Sequence, residues 1–372
     1  MRPSAARQHS LTVLPETRAG RCYKIAVFSY GLPNPGTKRG GIEQVAHDLA
    51  NALADRGHEL TVFTYDARPE DARYNTASLP GRWFVQTRIG RPLAMGYVGN
   101  LLALAPGYRD FDLVLAHGDS LLLPLVGKPV IRIMHGSALE EARSATSLVR
   151  KLLMSGVYLQ ELATAWLQQG TVAVSANTRS SNPFIHRTIP NGIDLRRFRP
   201  QAALRSAVPS LLFVGALNGR KRGAWLTEQF VHHIRPHVSN AELHLVTAAG
   251  PRVDGVHYHT GISADALVRL YQRAWIYASP STYEGFGLPY VEALACGTPV
   301  VATPNPGSRE VLANGRYGCL ADDDRFATTL LRLLGDRSER DALRRRGLER
   351  AAEYDITRTA ASYESLIEAL VN

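Results

Sequence analysis

The stretch from Ser279 to Thr303, SPSTYEGFGLPYVEALACGTPVVAT, limits the possible folds of this 372-residue chain more than any other. Gly285, Gly287, Pro289 and Gly297 punctuate it, so it cannot run as one long helix. Proline suits the first position of a helix and glycine the position just past its end. The residues therefore predict a strand (AWIYAS), a glycine loop, a short helix (PYVEALAC) and a second strand (TPVVAT). Two carboxylates, Glu284 in the loop and Glu292 in the helix, stand with seven residues between them. A helix start facing a glycine loop offers unpaired N–H groups and the positive end of the helix dipole, a natural setting for an anion. Carboxylates beside such a site call for ligand groups that donate hydrogen bonds, and sugar and ribose hydroxyls do so. The arrangement suits a ligand with hydroxyls at both ends and a diphosphate in the middle, a nucleotide sugar.

The same alternation runs through the rest of the chain. KIAVFSY (24–30), HELTVFTY (58–65), FDLVLAH (111–117), PVIRIMH (129–135) and TVAVSA (171–176) read as strands. After the first come a long Pro/Gly loop at 31–41 and a helix at 42–57 with apolar spacing and a terminal Gly57. The turn-rich stretch PNGIDLRRFRP (190–200) marks a junction. Beyond it SLLFVGAL (210–217), ELHLVTAAG (242–250) and HYHTG (257–261) restart the pattern. Alternating strands and helices imply parallel sheets covered on both faces, with ligands beyond the carboxyl ends of the strands. The expected division is a flexible tail at 1–21, a first Rossmann-like domain at 22–197, a second at 198–355 and a terminal helix at 356–372.

Composition narrows the partners. A chain of this length with 45% hydrophobic and 20% charged residues can bury two cores. No run approaches the roughly 18–20 apolar residues of a membrane span, and residues 1–21, with four arginines, lack a signal-peptide core. Cys22, Cys296 and Cys319 show neither a disulfide framework nor zinc spacing, so cytoplasm is the default location. The net charge of +10 is uneven: residues 1–200 hold 24 Lys/Arg against 15 Asp/Glu, and residues 201–372 hold 19 against 18. The basic half lacks a nucleic-acid module and aromatic interleaving, so nucleic acid is not expected. An anionic membrane surface at the inner face, or an anionic lipid-linked acceptor, fits the charge better.

The run E-G-F-G-L-P-x-x-E-A-x-A-C-G-T-P-V-V (284–301) resembles the signature of the retaining family 4 glycosyltransferases, glycosyl transferases group 1. That resemblance implies an α/β GT-B fold, two doubly wound Rossmann-like domains facing across a cleft, with the last helix crossing back to the first domain. It assigns Glu284 to the donor sugar, the backbone of Phe286, Gly287 and Leu288 to sugar and phosphate, and Glu292 to the ribose. Gly40 and Gly41, in TKRGGIEQ, match the family's glycine loop near the donor phosphate. His135, in VIRIMHGSALEE, matches a histidine that touches the donor sugar, and His117 is a lesser candidate on the acceptor side. The loop FVGALNGRKRG (213–223) departs from the pattern: Ala216 stands where the family has arginine, and Arg222 where it has lysine. Arg222 then inherits the diphosphate, with Lys221 adjacent, and Lys221 or Arg220 stands in for the missing arginine. Arginine and lysine are not interchangeable at a phosphate. Asp322, Asp323 and Asp324 read as capping and solvated acids, so no metal site is assigned. No permanently bound cofactor is expected; the nucleotide sugar is the substrate, and any divalent ion arrives with it.

The function so implied is retaining transfer of a sugar from a UDP- or GDP-sugar to a hydroxyl of a glycan, lipid-linked or small-molecule acceptor, as in polysaccharide biosynthesis. Attack comes from the front face, and the departing diphosphate takes the acceptor's proton. Competing readings are a sugar-nucleotide epimerase or a glycan phosphorylase, the latter requiring a pyridoxal lysine that no lysine here fits. An NAD-dependent dehydrogenase would use Asp66, at the end of the second strand, but the first loop lacks G-x-G-x-x-G. A non-catalytic nucleotide-sugar-binding subunit is the reading that Ala216 favours.

Overall fold

The computed structural model describes residues 21–33, 41–83, 98–105, 107–118, 120–123, 127–145, 147–168 and 170–372. Gly40 and nearly all of the expected tail lie outside the described residues. The first sheet contains β1 (Lys24–Phe28), β2 (Glu59–Thr64), β3 (Asn75–Ser78), β4 (Leu113–Ala116), β5 (Val130–Met134), β6 (Val172–Ala173) and β7 (Arg187–Thr188). Their order is β3-β2-β1-β4-β5-β6-β7, and every neighbouring pair is parallel. The second sheet contains β8 (Ser210–Val214), β9 (Glu242–Val246), β10 (Val256–His259), β11 (Ile276–Ser279), β12 (Val300–Ala302) and β13 (Cys319–Leu320). It is also parallel, in the order β10-β9-β8-β11-β12-β13. These are two doubly wound α/β sheets, each with its topological switch beside its first strand.

The central strands β4, β5 and β11 are buried along their whole length, as parallel strands covered on both faces must be. The helix Gly41–Ala54 lays Val45, Leu49 and Leu53 against the first sheet at four-residue spacing. The final helix, Ile356–Val371, packs on it. Arg56 Nε donates to Glu364 at 2.9 Å, and the other Glu364 oxygen lies 3.3 Å from His58 Nε2. At the junction a Cβ on Gly192 would sit 2.6 Å from the Ile356 Cα, so glycine there lets the start of the last helix dock. One apolar cluster runs from Ile25 and Leu49 through Ile193, Tyr363 and Ile367 to Leu212 and Tyr277, joining the two sheets. A second, with Phe213, Phe230, Phe326 and Leu330, fills the other side of the second sheet. Among the described residues no helix is long and apolar enough to cross a membrane.

Candidate functional site

Parallel strands deliver their following loops to one edge of each sheet, and here the two edges meet. A Cβ on Gly285, in the loop after β11, would lie 2.8 Å from the carbonyl oxygen of His135, at the end of β5. A Cβ on Gly41 would lie 3.7 Å from Leu288 Cδ1. The N-termini of the helices Gly41–Ala54 and Leu288–Ala295 therefore converge, and both dipoles favour negative charge between them.

Glu284 is buried beside this meeting point. Lys221 Nζ stands 2.5 Å from one carboxylate oxygen, and Arg220 Nη1 donates to the other at 3.0 Å. Arg220 also donates to the Tyr283 carbonyl at 2.5 Å, and its own carbonyl accepts from Thr282 N at 2.9 Å. Burial pushes the Glu284 carboxyl up, but Lys221 and then Arg220 outweigh it and hold the group below its usual range. The carboxylate is charged at neutral pH and already neutralised by two cations. Two glycines that sequence reasoning did not single out make room for this. A Cβ on Gly215 would press on the Lys221 stem at 3.1 Å, and one on Gly307 would lie 2.6 Å from the Phe286 carbonyl. Gly307 N also donates to the Glu284 carbonyl at 3.0 Å. The signal for Gly307 was the Pro-Gly pair soon after the strand TPVVAT; Gly215 ends SLLFVG just as the loop begins.

Arg222 is not part of this cluster. Its backbone is left-handed (φ 58°, ψ 36°) at the start of the helix Gly223–Gln229, which turns the side chain away from its two neighbours. It donates to both oxygens of Asp323 at 2.9 and 2.6 Å, and its guanidinium lies 4.2 Å from the Trp225 ring centroid. Lys221 and Arg220 are thus the cations at Glu284. Asp322 stands at the N-cap position of the helix Asp323–Gly335, and Asp323 is the partner of Arg222.

Gly287 begins the helix Leu288–Ala295 with φ 94°, and a Cβ there would run into the Tyr290 ring, so only glycine fits. Pro289 occupies its first turn and Gly297, at φ 68°, follows its end. The Phe286 side chain is buried against Tyr354, ring centroids 5.6 Å apart, which leaves its backbone rather than its ring at the loop surface. One turn on, Glu292 accepts a 2.8 Å hydrogen bond from the Tyr271 hydroxyl. Burial, reinforced by Glu292, pushes that hydroxyl far above its usual pKa, so it stays a donor. The acid is steadied by a group that no sequence spacing indicated.

His135 and His117 end adjacent strands, so the pairing of β4 with β5 brings them together. Their rings stack with centroids 5.2 Å apart, and His117 Nδ1 and His135 Nε2 share one N–H across 3.0 Å. Burial pushes His135 down to about 4, and burial followed by the His135 charge pushes His117 well below its usual value. Both rings are neutral at physiological pH. Asp66 accepts from Leu32 N at 3.0 Å and so braces the loop after β1, a structural task rather than a ribose contact. Together the site offers a neutralised acid, a second acid held by a tyrosine, a neutral imidazole pair and two helix N-termini. Such a set accommodates hydroxyl donors on either side of an anionic group.

Comparison with known proteins bears on this arrangement. The pattern of Glycosyltransferase Family 4 matches residues 39–197, and that of Glycosyl transferases group 1 matches residues 208–336. The D-inositol 3-phosphate glycosyltransferase of Mycolicibacterium gilvum (strain PYR-GCK) is 33% identical, over 85% of this chain and 82% of its own. Among solved structures, sucrose-phosphate synthase from Thermosynechococcus elongatus superposes with a TM-score of 0.75 at 22% identity, covering 94% of this chain and 99% of its own. Anabaena HepE in complex with UDP-glucose gives a TM-score of 0.72 at 16% identity, covering 94% and 100%.

Proposed function

The chain belongs to the family 4, group 1 glycosyltransferases of GT-B fold, and from that premise we propose that it moves a sugar with retention from a UDP- or GDP-sugar to an acceptor hydroxyl. The observation that carries this reading is the buried Glu284 carboxylate, gripped by Lys221 and Arg220 where two helix N-termini converge. On donor arrival the diphosphate takes Lys221 and Arg220 as partners, and Glu284 turns its acceptor capacity to the sugar hydroxyls. Glu292, held by Tyr271, accepts from the ribose hydroxyls. The amides of Gly287 and Leu288 and the N-terminus at Gly41 meet the phosphates. His135, neutral, exchanges a hydrogen bond with the sugar without adding charge.

In the chemical step the bond from the anomeric carbon to the diphosphate oxygen breaks, and its electron pair leaves with that oxygen. The acceptor oxygen bonds to the same face of the carbon, and its proton passes to the departing diphosphate. No protein carboxylate bonds to the sugar. The chain contributes positioning and cationic stabilisation of the leaving charge. No resident cofactor enters this reading, and a divalent ion, where one helps, comes with the donor. The relative named for D-inositol 3-phosphate supports a small phosphorylated polyol as the first acceptor to assay, ahead of glycan and lipid-linked alcohols.

A thermal-shift comparison of UDP, GDP, ADP and dTDP should single out one base, and release of that nucleotide from its sugar donor should then depend on acceptor. Glu284→Ala should abolish transfer while sparing nucleotide binding, and Glu292→Ala should weaken the nucleotide itself. A chain that bound the nucleotide sugar yet never released nucleotide with any acceptor would be the binding subunit that Ala216 suggests. No shift with any of the four nucleotides would overturn the proposal.

A further inference from the structure

The helix Leu148–Leu167 follows the short helix Ala138–Ser144, and its Ala165 packs with Met134 of β5 and Ala173 of β6, turning one side to the first sheet. That side carries Glu161, Thr164 and Ala165, all buried; Glu161 accepts from Ala138 N at 3.1 Å, and the Tyr158 hydroxyl donates to the Ser181 carbonyl at 2.7 Å. Among the described residues nothing covers the opposite side. Leu148 (71% exposed), Leu152 (67%), Leu159 (67%) and Trp166 (69%) fall in one narrow stripe along it, and Val149 and Leu167 widen the stripe. With Leu153 these exposed side chains present on the order of 800 Å², above the roughly 300–600 Å² of the largest patch on a typical monomer.

We propose that this stripe is the interface of a homodimer in which the helix packs antiparallel against its own copy about a two-fold axis. Three observations favour a second copy over a lipid surface. The exposed apolar area sets an upper limit close to the roughly 800 Å² per partner of a standard stable interface. The face is depleted of charge and carries a tryptophan, the composition of an interface core. The helix has only three charged residues: Glu161 is buried, Arg150 is 3.4 Å from Glu141 on the preceding helix, and Lys151 is exposed at the edge of the stripe. A helix lying in a lipid interface instead carries Lys and Arg along its polar side. Third, the stripe is self-complementary. Its midpoint falls at Val157, next to Gly156, which is exposed and has nothing within 4 Å of an added Cβ. In the antiparallel pairing the two chains approach at Gly156, and Leu148 of one protomer meets Trp166 of its partner. An isologous contact of this kind closes on itself and leaves no sticky surface.

Sedimentation velocity of the full chain at micromolar concentration should give a dimer. The double substitution Leu152→Glu with Leu159→Glu places like charges on both sides of the axis, and dimerisation should weaken by at least about 100-fold. Both positions are exposed, so the monomer should keep the wild-type melting temperature at equal protein concentration corrected for dimer dissociation. Its thermal shift with nucleotide should also persist, which separates this inference from the assignment of the cleft. Gly156→Cys should form a covalent dimer on mild oxidation, while the wild type, despite exposed Cys22, should not. A monomeric wild type would overturn the proposal, and so would a dimer untouched by the double substitution. A monomer that co-sediments with phosphatidylglycerol vesicles only while Leu152 and Leu159 are intact would assign the face to lipid instead.

Discussion

Replacing Glu284 by glutamine should strengthen nucleotide binding while destroying transfer. In the ligand-free chain Lys221 Nζ lies 2.5 Å and Arg220 Nη1 3.0 Å from the carboxylate. Two unit charges at 4 Å attract by about 4 kcal/mol at an effective dielectric constant near 20, so each close contact represents several kcal/mol before desolvation is subtracted. The Arg220 side chain is half exposed, so solvent screens most of its share, and Lys221, only 19% exposed, carries the larger part. An incoming diphosphate must divide these cations with the carboxylate and also face its negative charge. Glutamine keeps the shape and removes both penalties. The nucleoside diphosphate should then bind about tenfold tighter, a gain of about 1.4 kcal/mol. Transfer should fall by at least about 100-fold, because the sugar hydroxyls lose a charged acceptor and the cations lose the partner that positions them. Titration calorimetry with UDP and GDP gives the first quantity, and initial rates of nucleotide release give the second. Weaker nucleotide binding combined with near-normal turnover would refute the reasoning, since both signs follow from one charge.

Lys221→Ala should lower turnover by at least about 100-fold, whereas Arg222→Ala should leave it within a few-fold and cost only about 1 kcal/mol of stability from its Asp323 pair and Trp225 contact; initial rates and thermal melts separate the two. Tyr271→Phe removes the hydroxyl that donates to Glu292 and should raise the nucleotide dissociation constant about three- to tenfold with little change in kcat. Acidification should destabilise the fold through the histidine pair. His135 titrates near 4 in the fold against 6.5 when unperturbed, so between those values the unfolded chain binds more protons. The stabilisation is complete above 6.5 and is lost as pH falls toward 4, amounting to about 1–2 kcal/mol by about pH 5 given that His135 keeps some solvent contact. The His117 shift has the same sign. Melting temperatures recorded from pH 7 to 5 should therefore fall, and less so in His117→Gln; equal slopes would count against the pair.

Much of the architecture around Glu284 and Glu292 is written locally. Gly287 and Gly297 take positive φ, Pro289 starts a helix, and these choices depend on each residue's own backbone freedom. They place Glu284 in a loop and Glu292 one turn into a helix wherever the segment folds, and the family pattern over 284–301 is legible for the same reason. Strand ends are less so: TVAVSA pairs only at Val172 and Ala173, since ladder hydrogen bonds depend on the neighbouring strand and apolarity does not. The choice of cation belongs to the tertiary structure. Arg220, Lys221 and Arg222 are consecutive, and spacing cannot say that a left-handed residue at 222 sends one guanidinium to Asp323 while the other two side chains reach Glu284. The same holds for Tyr271 at Glu292, Gly307 against Glu284, and the His117–His135 pair, which exists because β4 and β5 are neighbours. Packing likewise decides which side of the helix Leu148–Leu167 the first sheet leaves bare. Backbone punctuation acts within a few residues, so sequence alone determined the loop, the helix and the two acids. Side-chain partnership acts across elements that the chain brings together only after both sheets have formed.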